Sequence, residues 1–274
     1  MLSFVLTLEP NPGPPRDLPL FRRSIRLHAK AGAGDALRVR AALEDDFHHF
    51  RVELRSLGGV VSAITAQAPR HPYSLCPSAA QSLQLLVGTA LTRQAHALGK
   101  AVDPREQCTH LLDLAGLAAA VAARGVRERR YDIEVPLRQD GRTQARLARD
   151  GVPLLCWDVL ELAVTGPDPY TGFDLRQGMA RWALAHLPED EAEAALVLRR
   201  CAAISMGKGK PLDAQRHANA TGRCYAQQPE RAPLALRQVG STWDFTARAD
   251  ALCVDDEPWL SFDEGADSAA EPSA

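Results

Sequence analysis

The feature that most constrains the fold of this chain is a strand-turn-strand pattern in its first quarter. Between Phe47 and Leu57, apolar and charged side chains alternate with the period of a half-buried β-strand. Gly58 and Gly59 follow, and a second run covers residues 60–68. Two glycines between such runs are typical of a β-hairpin. The pattern therefore predicts an antiparallel sheet with one buried face.

Further strand and turn signals extend this sheet. Residues 24–27 and 37–43 alternate in the same way, and residues 133–137 alternate up to a hairpin signal at Asp140-Gly141. Another turn is predicted at Asp150-Gly151, and the apolar run 152–164 is typical of a central strand. Helices are predicted over 78–98, 108–124, 174–187 and 188–205, with one more left open within 211–225. Together these elements predict an α+β fold, an antiparallel β-sheet with hairpins and packed helices.

The chain divides into three parts. Residues 1–20 carry five prolines and are interpreted as an extended lead-in. Residues 21–225 form the α+β domain, either as one unit or as two subdomains, 21–126 and 127–225. Residues 226–274 are predicted to be an irregular, partly disordered tail, because hydrophobic pattern fades there and the end is rich in Ala, Ser, Pro and acid.

Composition narrows the class of partner. A formal net charge of −2 offers no global attraction to nucleic acid or to an anionic membrane. No apolar run approaches the roughly 20 residues that span a bilayer. The first residues make a poor signal peptide, and six scattered cysteines include no Cys-x-x-Cys pair. We expect a cytoplasmic protein with a small-molecule substrate, and a homodimer is left open.

Ligand-type side chains gather in the first half of the chain. Cys76 and Cys108 each precede a predicted helix, where free backbone N–H groups favour a thiolate. Extending the strand alternation backwards places Asp46 and His48 on the apolar face and His49 on the solvent face. His110 lies two residues after Cys108.

These groups predict a mixed-ligand site for a divalent metal, zinc or iron. Its ligands would be Asp46, His48, Cys76, Cys108 and His110, with His48 and His110 also as catalytic residues. The structural alternative is that the cysteines are small core residues and that His48 is a satisfied core histidine.

A metal site of this kind favours an enzyme, a lyase, hydratase or hydrolase acting on a small carbonyl or carboxylate substrate. Arg70, Arg130 or Lys208 would hold the substrate carboxylate. One alternative is metal-free thiol chemistry, with Cys108 as nucleophile and His110 or His48 as base. The other is a non-enzymatic zinc or iron–sulfur scaffold, or a partner-binding module.

Two resemblances bear on these alternatives. The motifs Asp45-Asp-Phe-His-His-Phe50, Arg70-x-Pro-x-x-x-Cys-Pro77 and Cys108-Thr-His-Leu-x-Asp113 resemble a bacterial family known as domain of unknown function 2889, over about residues 22–225. The family name implies no activity.

The order of acidic motif, hairpin, cysteine, helix and second cysteine is also similar to the U-type iron–sulfur scaffold proteins. That resemblance implies a related fold for the first half and a site for zinc or a nascent cluster. Asp46 would match the acidic ligand, Cys76 the middle cysteine and Cys108 the late one. The first scaffold cysteine has no counterpart here, since Phe47, His48 and His49 stand near its place.

Overall fold

The computed structural model describes residues 18–263 as an eight-stranded antiparallel sheet with helices packed on it. Its order is β4-β3-β2-β1-β5-β6-β7-β8, so two meanders meet where β1 pairs with β5. One sheet thus runs through both predicted subdomains, and the α+β prediction is confirmed. The strands are β1 (Leu20–Ala31), β2 (Ala36–Asp45), β3 (His49–Leu57), β4 (Val60–Arg70), β5 (Glu128–Pro136), β6 (Arg142–Arg149), β7 (Val152–Leu160) and β8 (Ala163–Gly166).

The predicted tight turns are confirmed. Gly58-Gly59, Asp140-Gly141 and Asp150-Gly151 each have two successive residues with positive φ, the conformation that matches the twist of the flanking strands. The prediction of one strand over 152–164 is wrong, because the chain turns at Glu161, where φ is +52°, and returns as the short edge strand β8.

The helices are α1 (Ala95–Leu98), α2 (Thr109–Arg124), α3 (Met179–His186), α4 (Glu189–Ile204) and α5 (Glu257–Leu260). The helix predicted over 108–124 is found as α2, with Cys108 just before its first residue and the left-handed Gly125 just after its last. The predicted helix over 78–98 is wrong. A 3-10 helix covers Pro77–Leu86, and the chain then hydrogen-bonds to strand β4, with Gly88 N donating to Val61 O at 2.9 Å.

The two long helices lie on one face of the sheet. Helix α2 packs on β1, β2 and β3, and helix α4 packs on β5, β6 and β7. Their small buried residues, such as the alanines at 118–120, let the helices lie close to the strands. No helix in the described part of the chain has both the length and the apolar character needed to cross a bilayer. Within 211–225, only short 3-10 turns occur in place of the possible extra helix.

The opposite face of β1–β3 is covered by the segment 243–262, which we call the C-terminal strap. Cys253 and Leu260 of the strap bury Ala42 of β2, and Arg40 Nη1 donates to Trp259 O at 2.6 Å. The predicted irregular tail therefore contains, up to residue 263, short helical turns that pack on the sheet. The predicted disorder at 264–274, and all but the last residues of the predicted lead-in, lie outside the described residues.

Candidate functional site

A tight loop between β2 and β3 forms the base of the candidate site. The Asp45 carboxylate accepts hydrogen bonds from the backbone N–H groups of Phe47 (2.7 Å) and His48 (2.8 Å), which closes the loop. Arg70 holds it from β4, donating to the carbonyl oxygens of Asp45 (2.6 Å) and Asp46 (3.2 Å). The structure therefore corrects the predicted substrate role of Arg70: its guanidinium is buried in the loop, where it fixes backbone.

Within this loop Asp45 also orients the imidazole of His48. The ring Nδ1 of His48 lies 3.1 Å from Asp45 Oδ1, and Arg23 Nε donates to Asp45 Oδ2 at 2.8 Å. Burial would raise the pKa of Asp45, but Arg23 and His48 outweigh it and hold that pKa well below its usual range. An ionised Asp45 selects the tautomer with the proton on Nδ1, which leaves His48 Nε2 as an acceptor.

His110, in the first turn of α2, lies directly against His48. The ring centroids are 4.0 Å apart at an interplanar angle of 32°, and His110 Nε2 is buried without a hydrogen-bond partner in the described part of the chain. Burial, followed by the nearby His48, lowers the pKa of His110 well below its ordinary value. Burial also lowers the pKa of His48, although Asp45 opposes that shift. Both rings are therefore neutral at pH 7.

The two histidines line a cavity of about 430 Å³, called here the histidine cavity. Four arginines line it as well, and no aspartate or glutamate of residues 18–263 does. Arg200 is paired with Asp113 at 2.8 Å. The other three form no ion pair with a carboxylate of the described chain, and they are Arg176, Arg199 and Arg223. A cavity with this lining favours an anionic ligand.

These three arginines lie at different depths in the histidine cavity. Arg176 and Arg223 are exposed, at the mouth of the cavity, whereas Arg199 is partly buried. Arg199 Nη1 donates to Leu175 O at 3.0 Å, but its Nε is buried with no partner among residues 18–263. Burial lowers the pKa of Arg199, yet a guanidinium remains protonated at neutral pH.

Three free thiols also line the histidine cavity, those of Cys76, Cys108 and Cys224. A 3-10 helix follows Cys76 and helix α2 follows Cys108, but the expected lowering of the thiol pKa values is not found. Burial raises the pKa of Cys108 to about 12, although the N–H groups of Leu111 and His110 oppose the shift. Burial likewise raises the pKa values of Cys76 and Cys224. The protonated thiol is thus the stable form at neutral pH.

Asp46, the fifth predicted ligand, does not reach the cavity. Its carboxylate accepts a hydrogen bond from Lys208 Nζ at 2.7 Å, and Lys208 also pairs with Asp244 at 2.8 Å. Burial raises the pKa of Asp46 to about 6, with Lys208 opposing. Lys208 is thus a structural cation and not a free carboxylate receptor.

The predicted ligand set is consequently divided. The structure brings His48, Cys76, Cys108 and His110 to one cavity and leaves Asp46 outside it. Across residues 18–263, no group of three or more His, Cys, Asp or Glu side chains is arranged to hold a metal ion.

Two further expectations are corrected. His49 was expected on the solvent face, but it is 8% exposed and its Nε2 lies 3.0 Å from the Asp256 carboxylate of the C-terminal strap. Arg130 was expected to hold substrate, but it pairs with Asp132 at 2.7 Å on strand β5 and does not line the cavity.

Sequence reasoning missed several cavity residues, notably Tyr73, Arg176, Arg223 and Cys224. Tyr73 and Cys224 are close to motifs or helices that were recognised, yet their positions relative to the cavity depend on long-range packing. Arg200 is used in ordinary charge pairing, whereas Arg199 has no carboxylate partner in the described chain.

Comparison with known proteins places part of this chain in context. Residues 21–124 match the model of a family described as a protein of unknown function, DUF2889. The match covers less than half of the chain but includes both histidines and the thiols of Cys76 and Cys108. No curated protein matches the sequence. The resemblance to domain of unknown function 2889 is thus confirmed over 21–124, and the resemblance to iron–sulfur scaffold proteins stays a prediction.

Proposed function

We propose that this protein is an enzyme that performs acid–base catalysis on a small carboxylate substrate in the histidine cavity. The observation that carries the proposal is an Asp45–His48 pair at the wall of a cavity that is lined by four arginines and by no carboxylate of residues 18–263. Of the predicted classes (lyase, hydratase or hydrolase) the proposal keeps the first two, and it replaces the metal ion with protein groups as the source of charge stabilisation.

His48 is suited to be the general base. Asp45 holds the proton on Nδ1, so Nε2 presents a lone pair, and the lowered pKa keeps the ring neutral. A neutral, oriented imidazole can take a proton from a carbon next to a carbonyl or carboxylate, or from water. The new N–H bond forms as the C–H or O–H bond breaks.

The arginines are suited to hold the substrate and to stabilise the charge that results. When a C–H bond breaks, its electron pair moves onto the adjacent carbonyl or carboxylate oxygen. A guanidinium stabilises such an oxygen and binds a carboxylate with two parallel hydrogen bonds. Arg199, with its unpartnered Nε, is the candidate nearest the interior, while Arg176 and Arg223 attract the anion at the mouth.

His110 complements His48. It lies against the base, and burial lowers the pKa values of both rings. Its Nε2 is an unsatisfied polar atom that a substrate oxygen would satisfy by a hydrogen bond. In this proposal His110 binds the substrate and His48 moves the proton.

A solvent-exchange assay tests the proposal without knowledge of the full reaction. The protein is incubated in D₂O with separate 2-oxo, 3-hydroxy and 2,3-unsaturated carboxylic acids, and proton NMR follows deuterium incorporation or addition of water. We expect at least one acid to react. We also expect His48→Gln to slow that reaction about 10²- to 10⁴-fold, the usual contribution of a general base.

His49→Gln is the matched control, because the adjacent histidine carries the same change on the opposite face of the sheet. It should leave the rate within about twofold of the wild type. Absence of exchange with the entire panel, or equal effects of the two substitutions, would refute the proposed role of His48.

A metal-dependent enzyme or an iron–sulfur scaffold remains the second candidate, because three thiols and two imidazoles line one cavity. Metal binding would itself displace the thiol protons. Elemental analysis of protein purified without oxygen, compared with Cys76→Ser and Cys108→Ser, separates the candidates. About one equivalent of zinc or iron that both substitutions remove would favour the metal over the proposal above.

A further inference from the structure

A second cavity of about 240 Å³ lies between the helix layer and strands β1 and β2. Helices α1, α2 and α4 contribute most of its walls, and Ile25 and Leu43 of the strands form the rest of its apolar lining. Aliphatic side chains dominate the surface, including Leu112, Leu117 and Val197. We call it the aliphatic cavity.

The two arginines that line the aliphatic cavity are already paired. Arg200 Nε donates to Asp113 at 2.8 Å, and Arg23 donates to Asp45. Neither guanidinium therefore calls for an anion, in contrast to Arg199 in the neighbouring cavity. Most of the surface that the aliphatic cavity presents to a ligand is apolar. Its polar groups are the two paired arginines, Asp113, the ring of His96 and the exposed ammonium of Lys100.

The aliphatic cavity and the histidine cavity lie side by side. Arg200 lines both of them, so the Arg200–Asp113 pair stands between the two spaces. Arg23 lines the aliphatic cavity and reaches Asp45, which in turn holds the ring of His48. An occupant of the aliphatic cavity would thus contact Arg23, whose guanidinium pairs with the carboxylate that orients His48.

We propose that the aliphatic cavity is a second binding site, for a compact apolar molecule or group no larger than a substituted single ring. Protein cores contain few voids larger than a water molecule. An apolar void of about 150 Å³ suffices for benzene, so this one has room for a ring with a substituent. The concave, mostly apolar wall with a few polar groups is the usual form of a small-molecule site.

This inference stands independently of catalysis in the histidine cavity, since it needs only binding. The solution probe is toluene, followed by saturation-transfer NMR on the wild-type protein. We expect saturable binding, and a change in the His48 imidazole NMR signals as Arg23 and Asp45 adjust. Val197→Phe, which places a ring in the aliphatic cavity alone, should weaken binding at least tenfold.

Val239→Phe is the matched control, because the same change is made at a side chain that is 78% exposed and lines neither cavity. It should leave toluene binding unchanged. Crystals of the wild type soaked with bromobenzene give a test that needs no variant, since anomalous scattering locates the bromine. Bromine between α2 and α4 supports the site. Bromine confined to other places, or toluene binding that Val197→Phe and Val239→Phe affect equally, overturns it.

Discussion

His48 and His49 are neighbours in the sequence that lie on opposite faces of the sheet, and each has a buried aspartate partner. His48 is paired with Asp45, three residues away, and lines an arginine-rich cavity. His49 is paired with Asp256, more than two hundred residues away, beneath the C-terminal strap. One histidine–aspartate pair thus lies at a cavity, and the other is buried between the sheet and the strap. What covers each face, and not the pair itself, distinguishes a candidate catalytic group from a stabilising one.

Removing the aspartate charge should give the largest difference in stability between the Asp45–His48 pair and the Asp256–His49 pair. Asp45→Asn leaves Arg23, which is 2% exposed, without an anionic partner, and an uncompensated buried charge costs about 3–5 kcal/mol. Asp256→Asn should cost roughly 1–3 kcal/mol, because its partner Arg51 is 20% exposed and water can solvate it. Urea unfolding measures both free energies.

The same two variants separate stability from catalysis. At a temperature where both are folded, Asp45→Asn should also lose the proposed activity, because His48 no longer holds its tautomer, whereas Asp256→Asn should retain it. If Asp256→Asn proved the more destabilising of the two, or abolished activity in the folded state, the contrast between the two faces would be wrong.

The comparison also shows which parts of the molecule the sequence could predict. The hairpins at Gly58-Gly59 and Asp150-Gly151 were predictable because a tight turn depends on two adjacent residues with positive φ. The assignment of faces near His49 failed for two reasons. The chain leaves the strand at 46–48, which interrupts the alternation, and the face expected in solvent is covered by a strap with no strong sequence pattern.

The other residues of the histidine cavity were less predictable, because local sequence patterns do not fix their positions. Asp46 was favoured over Asp45 by an alternation that does not continue through the loop, and it binds Lys208 instead. Arg176, Arg199 and Arg223 come from segments far apart in the chain, so only tertiary packing brings them to one cavity. Cys76 and Cys108 were recognised, because a residue that precedes a helix can be identified from local signals.

Arg199 at the histidine cavity and Arg51 beneath the C-terminal strap should differ in the same way. Arg199→Gln removes from the histidine cavity a cation that has no carboxylate partner among residues 18–263. It should raise the KM for a carboxylate substrate roughly tenfold to hundredfold, the value of a lost charge-assisted hydrogen bond of about 1.5–3 kcal/mol. Arg51→Gln should leave the KM unchanged and lower the free energy of unfolding by about 1 kcal/mol, because it loses contacts with Asp256, Asp255 and Trp259 of the C-terminal strap and none in the cavity. Steady-state kinetics measures the KM and urea unfolding measures the stability. A raised KM for Arg51→Gln, or an unchanged KM for Arg199→Gln, would contradict this prediction.

The smallest expected effect is a pH dependence of the free energy of unfolding that arises from the two histidines of the cavity. The pKa values of His48 and His110 are lowered from 6.5, first by burial, so below pH 6.5 the unfolded chain binds protons that the folded protein does not. Stability is therefore fully present above pH 6.5 and falls as the pH decreases from there, by at most about 1.4 kcal/mol per pH unit for each histidine. Removing one of these groups by His48→Gln should make the slope between pH 6.5 and 5 shallower. An unchanged slope in urea unfolding across that range would mean that His48 binds its proton over the same pH range in the folded and unfolded chain, and would contradict the lowered pKa.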